Sequence, residues 1–284
     1  MSKKLDFKLA ILAVTNKGAR IGAMIALATG AELHLLDGLN QGLNLPAEII
    51  VKTCYFDKLS LHIKDNFHKY NGLVFIMSLG IVNRVIAPMI TDKYNDPAVV
   101  SVDEAGRYAI SALSGHEGGA NQLAFTVSSI IGSVPIITTM TEAVKSYVCG
   151  IGCKRGVKAQ AIESAINEAC KLAGINISDL RLITSAWIKR NETGLIEGAA
   201  NLGLNIRFIP KEQIDFFYLN GHSNKDIERS EFVFKHTGVY GVCEPCALIA
   251  SDMGELILRK ISFSGASFSG ITIAIAKENP PIIF

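Results

Sequence analysis

Short apolar segments separated by helical patterns are the feature that most restricts how this chain can fold. The clearest of these segments is 72–79 (GLVFIMSL), which contains no charged residue. Strands buried on both faces are apolar along their whole length, whereas strands with one face in water alternate between apolar and polar residues. The pattern therefore predicts parallel strands covered by helices on both faces, which is an α/β fold.

Strands and helices are predicted to alternate in both halves of the chain. The strands predicted in the first half are 7–14, 49–56, 72–79, 98–102 and 134–138, and the helices are 18–29, 57–70, 81–90 and 119–131. In the second half the predicted strands are 147–151, 180–187, 205–209 and a closing hairpin of 256–261 and 271–276, and the helices are 158–172, 193–202 and 242–251. The fold class expected is two doubly wound α/β domains facing a shared cleft, comprising residues 1–140 and 146–284.

Composition narrows the class of protein. Of 284 residues, 49% are hydrophobic, which is enough for a large core. The apolar segments fall well short of the ~20 residues that a bilayer requires, and residues 9–14 are too few for the apolar part of a signal peptide. Lys and Arg number 28 against 26 Asp and Glu, a balance that argues against a nucleic-acid partner. We expect a cytoplasmic protein with no membrane contact.

The six cysteines follow no disulfide framework, and in a cytoplasmic chain we expect them to stay reduced. Cys243 and Cys246 form a C-x-x-C pair, but a structural zinc site needs a second pair of ligands at suitable spacing. We expect these two residues to be buried thiols at the start of a helix, and we expect no zinc.

Three segments next to predicted strands carry residues suited to chemistry at a sheet edge, where open α/β sheets bind ligands. In the first, Asp103 and Glu104 follow a strand, and Ser114-Gly115-His116 leads into a helix through Gly118 and Gly119. Imidazole titrates near neutral pH, and N–H groups at a helix start bind anions. We expect His116 to be a general acid or base oriented by Asp103 or Glu104. A glycine turn that His116 caps is the alternative.

The second segment is GIGCKRG at 150–156, expected as a turn between a strand and a helix. Its spacing departs from the dinucleotide fingerprint G-x-G-x-x-G, and it lacks the end of a P-loop. An anion site is what the residues allow, with N–H groups around Gly152 beside Lys154 and Arg155. Cys153 is expected there as a thiol of lowered pKa. A surface turn with two solvated cations is the alternative.

The third segment, KRNETG at 189–194, also lies between a strand and a helix. Lys189 is a candidate anion ligand, and Glu192 falls in the first helical turn, where the helix dipole favours an acid. A solvated helix start accounts for the same residues.

Taken together, these segments point to one family. The most specific part is the run of about forty residues that contains GIVNRVIAP at 80–88, DPAVV at 96–100 and SGHEGGAN at 114–121. In the second half, GIGCKRG at 150–156 and the stretch 189–195 continue the pattern. In these residues the chain resembles the cobalt-precorrin-5A hydrolases of the anaerobic pathway to cobalamin (vitamin B12), in a short form without the middle segment of longer members.

The resemblance implies an enzyme that opens the ring-A δ-lactone of a cobalt-corrinoid with water and releases acetaldehyde, giving cobalt-precorrin-5B. The cobalt belongs to the substrate, so no cofactor and no protein metal are expected. His116, Asp103 and Glu104 are the expected catalytic residues, and the amides of Gly118 and Gly119 are expected to stabilise an oxyanion. Substrate contacts are expected from Arg84, Ser114, Gly115, Gly118, Gly119, Asn121, Gly152, Lys154, Arg155, Lys189 and Glu192, since cations and glycine N–H groups suit the carboxylates of a corrinoid edge.

Two other functions stay open. A non-catalytic corrinoid carrier is the main alternative, because the second half alone resembles a small protein of the aerobic cobalamin pathway. The complete segment 114–121 favours the enzyme, since a carrier needs neither its imidazole nor paired acids. A nucleotide-dependent enzyme rests on residues 150–156 alone. The sequence also leaves open whether the chain forms a homodimer.

Overall fold

The computed structural model describes residues 8–39, 46–50, 52–219, 227–263 and 270–279. The chain forms two compact units, of which one ends at Thr139 and the other begins at Met140. Each unit has a sheet of its own. Within the described residues, every helix is too short or too polar to cross a membrane.

The first unit is an α/β unit whose sheet is mostly parallel. Over the described residues its elements are β1 (Leu9–Ala13), α1 (Asn16–Thr29), β2 (Glu32–Leu36), α2 (Ala47–Ile50), β3 (Thr53–Phe56), α3 (Leu59–Asn66), β4 (Gly72–Ile76), α4 (Leu79–Ile86), β5 (Ala98–Val102), β6 (Tyr108–Leu113), α5 (Ala120–Ile131) and β7 (Val134–Ile136). The sheet order is β3-β2-β1-β4-β5-β6-β7. β6 runs antiparallel to β5, and β7 runs parallel to β6.

Burial on both faces explains why the central strands are apolar throughout. Every residue of β1, β4 and β5 is buried. One face packs against α1 and α5, and the other packs against α3 and α4. The predicted α/β fold is confirmed, and so is the interpretation of residues 72–79 as a doubly covered strand.

Two parts of the first unit differ from the prediction. Residues 49–56 were expected as one strand, but the chain forms α2 and then β3, and β2 had no predicted counterpart. Residues 103–113 were expected as a loop, but they contain β6. The carboxylate of Asp103 accepts hydrogen bonds from the backbone N–H groups of Arg107 and Tyr108, both at 2.7 Å. Gly106 takes the left-handed conformation in this turn, so the chain reverses into a hairpin.

The second unit is an α/β unit with a mixed sheet. Over the described residues its elements are α6 (Met140–Ala143), β8 (Tyr147–Cys153), α7 (Ala159–Ala173), β9 (Leu180–Ala186), α8 (Thr193–Asn201), β10 (Asn205–Ile209), α9 (Lys211–Leu219), α10 (Glu231–Thr237), α11 (Cys243–Ala250), β11 (Glu255–Phe263) and β12 (Ile271–Lys277). The sheet order is β10-β9-β8-β12-β11. The first three strands are parallel, and β12 is antiparallel to both of its neighbours.

Helices α7 and α8 cover one face of the second sheet with apolar side chains, and α11 packs on β8. The predicted closing hairpin is confirmed as β11 and β12, while its connection at 264–269 lies outside the described residues. Helices α9 and α10 had no predicted counterpart. β8 continues two residues beyond its predicted end, so the segment GIGC belongs to the strand.

A chain of polar side chains lies inside the first unit. The hydroxyl of Tyr70 donates to Glu32 Oε2 at 2.5 Å, and it lies 3.2 Å from His34 Nε2. Because this hydroxyl already donates to the carboxylate, His34 Nε2–H donates to it, and His34 Nδ1 accepts from His62 Nε2 at 2.7 Å. His34 is 2% exposed. Burial, together with the charge of a protonated His62, lowers the pKa of His34 to about 4.

The folded chain should therefore lose stability as the pH falls from about 6.5 towards 4. Over this range the unfolded chain protonates His34 while the folded chain does not, so acid favours unfolding. At about 1.4 kcal/mol per pKa unit, the loss in the free energy of unfolding is roughly 3 kcal/mol. Urea unfolding at a series of pH values measures it.

His34→Gln should flatten this pH dependence, and the exposed His68 provides the control variant His68→Gln. The same slope in His34→Gln and in the wild type would contradict the prediction.

Candidate functional site

Residues 114–121 form a compact loop that leads from β6 into the first turn of α5. Ser114 has a left-handed backbone with φ of 56° and is 7% exposed. Its carbonyl accepts from the N–H of Ala120 at 3.2 Å, and the carbonyl of Gly115 accepts from the N–H of Asn121 at 3.0 Å. A side chain at Gly118 would place its Cβ 2.4 Å from Ser114 Cβ. The loop therefore folds tightly onto the start of α5, and only glycine fits at position 118.

Three side-chain contacts hold this loop in place. The buried amide of Asn121 accepts from Ser111 Oγ at 2.8 Å and donates to Thr139 Oγ1 at 2.9 Å. Lys93 Nζ lies 2.7 Å from Glu117 Oε1. This hydrogen bond lowers the pKa of Glu117 and raises that of Lys93. Asn121, predicted as a substrate ligand, is thus engaged inside the protein, where it positions the loop.

The loop presents His116 outwards. The His116 side chain is exposed, and none of the residues in the described ranges forms a hydrogen bond with its ring. The backbone N–H groups of Gly118 and Gly119 likewise donate no hydrogen bond to any residue that the structure describes. Ser114 Oγ is buried without a hydrogen-bond partner. A proton-transfer group and free N–H donors therefore lie together at one helix start.

Asp103 and Glu104 lie at the other end of the hairpin. Because β5 and β6 are antiparallel, Val102 pairs with Ala109 and Val99 pairs with Leu113. The chain travels the length of β6 before it reaches the loop, which is about 17 Å at ~3.4 Å per residue. The expected orientation of His116 by either acid is therefore wrong, because the unpredicted strand β6 separates them.

Both acids have other partners. Burial raises the pKa of Asp103, but the hydrogen bonds from Tyr108 and Arg107 outweigh this effect and lower the pKa overall. Glu104 Oε1 accepts from Thr15 Oγ1 at 2.9 Å, at the start of α1. Asp103 and Glu104 thus stabilise a turn and a helix start.

Arg84 is exposed in the last turn of α4. Helix α4 starts after the carboxyl end of β4 and runs back towards the amino end of β5, the edge at which β6 ends. No acidic side chain pairs with Arg84 in the described parts of the chain. Arg84 therefore presents an open cation near the edge that carries the 114–121 loop.

The second unit has a polar groove at the carboxyl ends of β8 and β9, which are parallel and share an edge. The groove has a volume of about 460 Å³. Its lining comes from the turn after β8 and from the residues that lead into α8: Arg155, Gly156, Val157, Ile188, Asn191, Glu192, Thr193 and Gly194. The structure thus brings together the second and third segments that the sequence singled out.

Glu192 links the two segments. Its Oε1 accepts from the N–H of Gly156 at 2.8 Å, and its Oε2 lies 3.5 Å from Lys189 Nζ. The side chains of Lys189 and Glu192 are only 12% and 10% exposed. Lys189 is therefore neutralised by an internal acid. Arg155 is exposed, has no acid partner within the described residues, and is the cation that lines the groove.

Lys154 is exposed, and its N–H donates to the carbonyl of Gly270 at 2.9 Å, next to β12. Gly152, by contrast, lies within β8, where a Cβ would come 2.6 Å from Thr272 Oγ1. At Gly150 a Cβ would come 1.9 Å from the carbonyl oxygen of Cys243. Because these glycines have no side chain, β12 and α11 can pack closely against β8. The expectation that Gly152 belongs to an anion-binding turn is therefore wrong.

Four of the six cysteines are buried, Cys153 is half-buried and Cys54 is exposed. Burial raises the pKa of Cys153 to about 11, so the expected thiol of lowered pKa is wrong; the residue ends a strand and does not begin a helix. Cys243 and Cys246 are buried in the first turn of α11, as predicted. In the residues that the structure describes, no three His, Cys, Asp or Glu side chains are grouped to hold a metal ion.

Comparison with known proteins assigns the chain to a family. The family model described as cobalamin synthesis G N-terminal matches residues 61–142, and the model described as cobalamin synthesis G C-terminus matches residues 147–276. The chain belongs to the cobalamin synthesis G family. The 114–121 loop lies in the N-terminal family region, and the groove lies in the C-terminal one.

Three relatives illustrate the similarity. The chain is 23% identical to the cobalt-precorrin-5A hydrolase of Priestia megaterium, over 94% of each chain. It is 50% identical to the cobalt-precorrin-5A hydrolase of Salmonella typhimurium over 76 residues, which are 27% of this chain and 22% of the relative. It is 30% identical to Protein CobE of a Sinorhizobium species, over 43% of this chain and 76% of CobE.

Three residues of the family's N-terminal region support the loop but were not predicted as site residues: Lys93, Ser111 and Thr139. Lys93 is 24 positions from its partner Glu117, and Thr139 is 18 positions from Asn121. No local pattern indicates such pairs. The contact of Ser111 with Asn121 could have been predicted only with β6 recognised as a strand, because β6 brings the Ser111 hydroxyl to the start of α5.

In the C-terminal region, Glu192→Gln should destabilise the second unit by about 1–3 kcal/mol, because it leaves the nearly buried charge of Lys189 without its acid. Urea unfolding measures the loss, with Glu197→Gln, an exposed position on α8, as the control. The double variant Lys189→Met, Glu192→Gln should recover part of the loss. A Glu192→Gln protein as stable as the wild type would contradict the pairing.

Proposed function

We propose that this chain is a cobalt-precorrin-5A hydrolase. The observation that carries the proposal is the similarity to the Priestia megaterium enzyme over 94% of both chains. The 114–121 loop supports it independently, since it offers an exposed imidazole beside free amides, as an acyl-transfer site requires. The substrate brings its own cobalt, and the proposal includes no further cofactor.

In the proposed reaction, His116 removes a proton from a water molecule as that water attacks the lactone carbonyl. The N–H groups of Gly118 and Gly119 donate to the oxyanion that forms. Cleavage of the acyl–oxygen bond leaves a carboxylate on ring A and a hydroxyethyl group on the macrocycle. Loss of the hydroxyl proton then forms the C=O of acetaldehyde, and the electron pair of the broken C–C bond stays with the macrocycle.

Each unit offers its own candidate cation for binding the carboxylates of the substrate. A corrinoid edge carries acetate and propionate groups, and the planar guanidinium fork binds carboxylates with two hydrogen bonds. Arg84 is the candidate in the first unit, and Arg155 is the candidate in the second. Lys189 is not included, because Glu192 already neutralises it.

The direct test is anaerobic incubation of the purified chain with cobalt-precorrin-5A. We expect acetaldehyde in equal amount to the corrinoid converted, and a corrinoid product with the matching two-carbon loss by mass spectrometry. A chain that binds the corrinoid tightly and releases no acetaldehyde would instead be a non-catalytic carrier.

His116→Ala should lower turnover by roughly 10²- to 10⁴-fold, the usual contribution of a general acid or base. Corrinoid binding, followed by the absorbance of the macrocycle, should be retained. His68→Ala, another exposed histidine of the same unit, is the matched control. Turnover by His116→Ala near that of the control would remove His116 from the mechanism while leaving the hydrolase proposal to the acetaldehyde measurement.

A further inference from the structure

A group of buried hydrogen-bond donors without acceptors lies on one face of the second sheet. Arg207 of β10 is 5% exposed and pairs in register with Thr184 of β9. Register partners on neighbouring strands point to the same face, with side chains ~5 Å apart. Thr184 Oγ1 and Arg181 Nε are both buried without a hydrogen-bond partner. Buried polar groups are normally paired, so two unpartnered donors beside a buried arginine require an explanation.

Among the residues that the structure describes, no acidic side chain compensates the charge of Arg207. Across the described residues, its guanidinium forms no hydrogen bond and no ion pair. Burial first, and then the charge of Arg181, lower the pKa of Arg207 to about 10, so the side chain is still charged at neutral pH. Its other neighbour is Cys246, whose pKa is raised by burial. That thiol is therefore neutral and supplies no counter-charge.

Arg181 does not compensate Arg207 either, because it carries the same charge and has partners of its own. Its Nη2 donates to the carbonyl of Ala250, at the end of α11, and pairs with Glu278. The group therefore contains donors and one surplus positive charge. An isolated buried charge is costly, and buried charges in proteins are normally paired, so the missing counter-charge indicates a ligand of opposite charge.

We propose that Arg207, Thr184 and Arg181 form a binding site for a small oxyanion, a carboxylate or a phosphate, between the second sheet and α11. The guanidinium fork of Arg207 suits two oxygens of such an anion, and the hydroxyl of Thr184 suits a third contact. The low exposure of Arg207 restricts the ligand to a small anion. None of these residues lines the groove at the ends of β8 and β9, so this site goes beyond the proposed function.

The test is thermal unfolding of the whole chain with increasing inorganic phosphate or acetate, at constant ionic strength set with sodium chloride. A ligand that binds only the folded state raises the melting temperature in a saturable way. We expect such a rise with at least one of the two anions, and the anion that saturates at the lower concentration identifies the class of ligand.

Two variants locate the site. Arg207→Met should abolish the saturable rise, and Arg207→Lys, which keeps the charge but lacks the fork, should weaken the apparent affinity at least tenfold. Arg155→Gln alters the groove and should leave the rise unchanged. A wild-type melting temperature that does not respond to either anion would overturn the proposal. So would a rise that survives in Arg207→Met or disappears in Arg155→Gln.

Discussion

The hydrogen bonds between β5 and β6 decide where the candidate site of the first unit lies. Up to β5 the strands are parallel, and their carboxyl ends meet at one edge. The hairpin turn held by Asp103 reverses the direction, so β6 and β7 both end at the opposite edge. The 114–121 loop and Thr139 can meet only because of this reversal. Asp103 was expected to orient His116, but it holds the turn that places His116 at the opposite edge of the sheet.

The 114–121 loop is held rigid by contacts with residues elsewhere in the first unit. The loop starts with a left-handed serine, a conformation that costs energy in a residue with a side chain and persists only where the surroundings enforce it. Asn121 ties the loop to β6 and to Thr139, and Lys93 ties it to the segment before β5. The exposed imidazole is therefore carried on a supported backbone, which favours a defined orientation towards a ligand.

The sequence predicts those parts of the structure that depend on local patterns. Strand β4 is apolar throughout because both its faces are covered, and the segments at 150–156 and 189–194 meet because parallel strands share an edge. β6 was missed because its residues are only partly buried and follow a turn rich in polar side chains. The packing role of Gly152 depends on Thr272 of another strand, and periodicity carries no information on it. Lys189 and Glu192 are only three positions apart, so their pairing did have a local signal, but the sequence interpretation treated the two residues separately.

The pairing of Lys189 with Glu192 determines which residue sets the charge of the groove in the second unit. Since these two charges cancel, the surplus charge among the described residues of the lining is that of Arg155. Arg155 lies in an exposed turn, outside any helix or strand. Its replacement would reverse or remove the charge preference of the groove without disturbing the core. The charge preference set by Arg155 and the stability contributed by the Lys189–Glu192 pair are thus encoded at separate positions of this chain, so the first can change without loss of the second.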